Sequence, residues 1–175
     1  MRTSHLSSNQ KQRGVAAVEF ALVAMLFFTI LLAIIEIGRM LFIFNTMQEM
    51  TRNGARAAVV RWVDPASQTE IKSIALFYGA SMPANPDLTT ANISITYLQK
   101  DGLTEVTTLP ANPANPGDNL SACGDSTRIA NCIYYVRVSI SGATFTPMLG
   151  LFDFLTMPLP TSEVTMHAES LGFTI

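Results

Sequence analysis

The sequence predicts an α+β chain in which one long N-terminal helix, its first half built for lipid, packs on a small antiparallel sheet. Three observations carry this. Apolar residues make up 49% of the 175 and charged residues 14%, against about 25% charged in an average soluble domain. The excess is concentrated in residues 15–35, which are 21 positions with a single charge, Glu19. Beyond them, a period of 3.6 continues to Trp62, and short alternating segments follow between Pro- and Gly-rich breaks. A net charge of −2 on so apolar a chain excludes a disordered protein, a collagen-like repeat and a basic nucleic-acid binder.

Residues 1–14 are polar and basic, with Arg2, Lys11 and Arg13 and no acid. Residues 15–36 are expected to form a transmembrane helix. Twenty-one helical residues span about 31 Å, the thickness of a bilayer's hydrocarbon core. The run has neither Gly nor Pro, and residues 20–35 hold eleven Leu, Ile, Phe or Val, whose insertion free energy outweighs one acid near the segment's end. From Asp64 onward four basic residues face ten acidic ones. The Lys/Arg bias around the first span then keeps the N-terminus in the cytoplasm and exports the C-terminal part. A cleaved secretory signal has the same basic and apolar regions. It ends after 7–15 apolar residues at a small-residue site, and this run is longer and shows no A-x-A pattern.

Glu19 is the informative residue of the apolar run, because a carboxylate in a membrane segment is a functional feature by default. Gly14 closes the polar leader, four apolar residues follow, and then come Glu19 and Phe20. This R-G-V-A-A-V-E-F pattern resembles the prepilin processing motif of the Flp, or tight-adherence (Tad), branch of type IV pili. The wider stretch, G-V-A-A-V-E-F-A-L-V through I-I-E-I-G-R to A-R-A-A, resembles the N-terminal region of TadE-like minor pilins. The tail, with Y-V-R-V-S-I (135–140), P-M-L-G-L-F (147–152) and S-E-V-T-M-H-A-E (162–169), is more loosely similar to the end of that family.

The resemblance implies a minor pseudopilin of pilin-like architecture, held in the inner membrane by one span and cut by a prepilin peptidase between Gly14 and Val15. It further implies a subunit that assembles through its helix with other Flp/Tad pilins. An inner-membrane platform protein and, through it, a secretion ATPase would be the other partners, with pilus initiation or tip formation, adhesion and biofilm downstream. Cutting would leave an α-ammonium on Val15 one turn from Glu19. In a packed bundle, Glu19 of one subunit could pair with Val15 of its neighbour and set axial register, since a buried charge is tolerated only when paired. The alternative is a signal-anchored periplasmic binding or sensing domain without processing.

The helix is expected to continue through residues 37–63. Glu36 and Arg39 stand at i,i+3 and can pair as an exposed interfacial couple. Met47, Met50, Gly54, Ala58 and Trp62 form one face, opposite Gln48, Glu49, Arg52, Asn53 and Arg56. Asp64-Pro65 ends the run.

Residues 64–175 are expected to be the exported α+β domain. Within it, residues 67–70 read as a capping box opening a helix to Tyr78, with Ile71, Ile74, Ala75 and Tyr78 inward. Residues 93–98 alternate as a strand, and Lys100-Asp-Gly102 reads as a hairpin turn into a second strand at 103–109. A duplicated A-N-P at 111–116 marks an irregular loop, and strands at 134–140 and 162–168 complete the sheet, with an ordered loop or short helix between them. Cys123 and Cys132 are the only cysteines, and an oxidising compartment pairs them.

Nothing points to catalysis, a cofactor or a metal. No nucleophile elbow, zinc-protease or Walker motif occurs. His167 lies on a strand-like run where the outward polar face explains it, and Asp118 and Asp125 flank the first cysteine without a calcium-ligand ladder.

Overall fold

The computed structural model of the chain describes residues 8–109, 117–168 and 171, with side chains from residue 14 onward. It divides into two compact units, Met1–Arg39 and Met40–Ile175. Helix α1 (Ser8–Ala58) runs through both. In the first unit it carries the apolar run, and residues 14–23 are all exposed. Helix α2 (Pro65–Ala75) belongs to the second unit. So do β1 (Ile93–Leu98), α3 (Asp118–Gly124), β2 (Tyr135–Ile140), β3 (Thr144–Phe145), β4 (Met157–Pro158) and β5 (Ser162–His167).

The sheet is antiparallel with order β1-β2-β5. Its register places Ile93, Ile95 and Tyr97 opposite Val138 or its neighbours Ile140 and Val136, and pairs those with Ser162, Val164 and Met166. Period-2 alternation therefore stacks one apolar face across three strands. That face and the buried face of α1 share one core, in which Ile43, Met47, Met50, Ala55, Ala58 and Trp62 are buried. The expected helical face is thus the packed one.

Close approach of helix to sheet rests on Gly54. A Cβ there would lie 3.2 Å from the Ala75 Cβ of α2 and 3.2 Å from the Val138 Cγ1 of β2. A buried polar link joins α1 to the sheet across the same core. Thr51 Oγ1 lies 2.7 Å from Met47 O and 2.9 Å from Ser162 Oγ, both hydroxyls buried. A hydroxyl carries one proton, so Thr51 donates to the carbonyl and accepts from Ser162.

Several local expectations change. Helix α1 stops at Ala58, short of the expected residue 63; β-branched Val59 and Val60 follow, and the Val59 carbonyl accepts the Leu171 N–H. The cap of α2 is Asp64 instead of Ser67. Asp64 Oδ2 accepts the N–H groups of Ala66 and Ser67 at 3.0 and 3.1 Å, and Pro65 sits at the first helical position, where its missing N–H is harmless. Ser67 is buried inside the helix.

At the other end of α2, Tyr78 points outward and is 70% exposed. Phe77 and Tyr78 take positive φ, and their N–H groups bond back to Ile74 and Ser73, turning the chain away from the core. The 103–109 strand reduces to one bridge, Leu98 to Glu105. The hairpin turn itself is present, with Gly102 at φ +70°. Asp101 Oδ1 accepts the N–H groups of Leu103 and Thr104. The Thr104 hydroxyl, then these N–H groups, hold its carboxyl below the ordinary range. The duplicated A-N-P at 111–116 lies outside the described residues.

The short helix α3 was not legible in the sequence. It belongs to a lobe closed by the Cys123–Cys132 disulfide. Asn119 ties that lobe to the segment leading into β2 by donating to Ile133 O and accepting its N–H, and Arg128 pairs with Asp118 at 2.7 Å. Asp118 is thus a structural ion-pair partner. Cys132→Ser is expected to lower stability by about 2–3 kcal/mol, the loop-closure entropy of so short a loop. Chemical denaturation should show a lower midpoint with little change in slope; an unchanged midpoint would mean the lobe does not contribute to the cooperative unit.

Candidate membrane anchor and processing segment

Helix α1 is long and apolar enough to cross a membrane, with a mean hydropathy of 2.7 in its most apolar window, which is only 6% buried. Such exposure would be ruinous in water. Burying side chains like Phe20, Phe27 and Ile34, all exposed, is worth about 1.5–3 kcal/mol each. The natural solvent for this face is lipid, so α1 is a candidate membrane anchor.

The motif residues lie at the exposed start of this segment. Gly14, Val15, Glu19 and Phe20 are all exposed and helical, and a Cβ at Gly14 would meet nothing within 4 Å. The helix is already present at Ser8, upstream of the glycine, so the Gly14–Val15 peptide is helical and not extended. A peptidase would have to unwind it locally. Glycine inside a helix costs about 1 kcal/mol relative to alanine, which places the weakest point of this turn at the expected cut.

Val15 and Glu19 stand at i,i+4, one turn apart on the same face. Within one uncut chain they make no ion pair, because Val15 carries an amide. The structure places the motif residues along about two exposed turns of one helix.

Farther along, Arg39 Nε donates to Glu36 Oε2 at 3.2 Å. The pair expected as an exposed couple is instead partly buried, with Glu36 only 3% exposed. A carboxylate so removed from water at the end of an apolar helix is tolerable because the guanidinium is bonded to it. Thr51 was missed in the sequence. Its signal was present: it is one residue past Met50 and four past Met47, a polar residue on the packed face.

His167 is exposed on the outer face of the sheet, edge-on to the Tyr135 ring at 5.2 Å. No group of three or more His, Cys, Asp or Glu that could hold a metal occurs among the described residues.

The family model described as TadE-like protein matches residues 14–56. The match begins at the motif glycine, covers the apolar run and ends within the packed half of α1. It bears out the resemblance over that segment and suggests association with Tad pilus components; the strands are outside it. No curated protein and no solved structure matches the chain.

Proposed function

From the TadE-like character of residues 14–56, we propose that the chain is a minor pseudopilin of the Flp/Tad pilus assembly system. In this reading it is anchored in the inner membrane with its N-terminus cytoplasmic, and a prepilin peptidase cuts it after Gly14. It then takes part in pilus initiation, tip formation or assembly alongside other Flp/Tad pilins, the platform protein and, indirectly, the secretion ATPase. One observation carries the reading. The family match starts at the glycine of a G-x₄-E-F motif and runs along a single helix that is lipid-soluble first and core-forming afterwards. A plain signal anchor needs the apolar run alone. It has no use for a carboxylate five residues after a glycine, or for continuing the same helix into the core of the attached domain.

Intact mass of the protein extracted from membranes tests this. Loss of residues 1–14 is expected, and a full-length chain in cells with an active prepilin peptidase would return the unprocessed sensing-domain reading. Gly14→Ala should abolish the cut without disturbing the fold, because its Cβ meets no neighbour. It also strengthens the helix that must unwind, by about 1 kcal/mol. Normal trimming of that variant would show that the peptidase does not depend on the glycine.

A further inference from the structure

We propose that the connector between β2 and β5, residues 141–161, is a membrane-docking element that seats Leu151, Phe154 and Met157 in the interface of the bilayer that α1 crosses. Its placement follows from register inside the sheet domain. Ile140 and Ser162 are paired residues at one end of the sheet, so both ends of the connector emerge there. This is also the end at which α1 enters the domain. Thr51 bonds Ser162, and Phe44 and Gln48 line one groove with Thr161. Leu171, beyond the other end of β5, bonds Val59 near the close of α1. Strand β5 therefore runs in the same sense as α1, and the connector leaves the sheet on the side of residues 40–48. Met40 is covalently joined to Arg39, a few residues past the apolar run. Residues 40–48 are thus the part of the sheet unit nearest in sequence to the crossing segment.

The chemistry of the connector fits that position. Asp153 is its only charged residue. Phe152 and Leu159 are buried and anchor it, while Phe154 is 78%, Leu151 60% and Met157 40% exposed. On α1, Leu41 and Phe42, within the sheet unit, are exposed as well. Clustered exposed apolar side chains mark an interaction surface. Lipid is the occupant that needs no charge pattern for recognition, and interfacial elements sink only about 5–10 Å into the headgroup boundary, a depth that a short loop can supply.

The inference rests on α1 crossing a bilayer and is independent of cutting at Gly14. Its test uses the full chain carrying Phe154→Trp in nanodiscs loaded with one copy each. Trp62 is the only native tryptophan and is buried, so its emission in the unsubstituted chain supplies the baseline. The added indole should be quenched several-fold more by lipids brominated near the glycerol than by aqueous iodide. Adding Leu151→Asp should reverse that preference. Quenching by iodide with no response to brominated lipid overturns the proposal. So does shielding that appears only with two copies per disc, which would assign the surface to a second chain. Co-elution of chain and disc reports insertion of α1 separately, and its failure would overturn the anchor and the docking together.

Discussion

Chains carrying Glu19→Ala are expected to lose residues 1–14 normally and then fail to enter fibres. The two outcomes separate because they use Glu19 differently. In the proposed processing, cutting would open the helical turn at Gly14, and Glu19 lies outside that turn's backbone, exposed to whatever surrounds the helix. Assembly would place the new Val15 ammonium among apolar helices, where an unpaired charge is costly. Removing one partner of a buried ion pair costs about 3–5 kcal/mol, which corresponds to a loss of incorporation on the order of a hundredfold or more. Glu19→Gln keeps the shape and removes the charge, so it should fail likewise, while Glu19→Asp should retain part of the function. Intact mass of the membrane fraction reads the first outcome, and the amount of subunit in sheared fibres reads the second. Glu19→Ala chains in fibres at wild-type levels would refute the register role.

The second large effect is expected inside the sheet domain. Gly54→Leu should destabilise it by about 3 kcal/mol, at the upper end of the usual overpacking cost, and lower its melting temperature by about 10 °C. The reason is local. The first carbon of any side chain at this position already sits 3.2 Å from atoms of both α2 and β2, so three further carbons have nowhere to go unless α1 lifts from the sheet. Gly54→Ala is the informative contrast, because it sets a helix-propensity gain of about 1 kcal/mol against the same two contacts. Val138→Ala in the Gly54→Leu background should recover part of the loss by opening one side. Equal melting temperatures for the leucine variant and the unsubstituted protein would show that the helix and sheet do not pack as described.

How much of this could be read beforehand differs between the two ends of the chain. The motif at Gly14 and Glu19, the apolar run and its basic flank are contiguous in sequence, and their physics is that of one helix in one solvent. Hydropathy and spacing therefore suffice to find them. The buried stripe from Met47 to Trp62 was legible for the same reason, since the 3.6-residue period is a property of the helix itself. Local rules failed where two of them competed. Asp64-Pro65, read only as the end of α1, in fact opens α2 in place of Ser67, because it supplies both an acceptor and a proline at the first position. Tyr78 looked like the next member of an inward stripe, yet the helix ends at Ala75 and Tyr78, like Phe77, takes a positive φ that turns it outward.

The sequence by itself determined that this chain has one lipid-soluble helix with a glycine–glutamate motif at its start, two cysteines able to pair, and an antiparallel domain behind it. Each of these depends on residues within a few turns or a few strand lengths of one another. Only the tertiary structure decided that Thr51 meets Ser162 across 111 positions, that Gly54 is the notch for two other elements, and that the 141–161 connector leaves the sheet beside the entering helix. Strand order and register settle those contacts. They arise from burying several apolar faces at once, a condition that no single stretch of sequence contains.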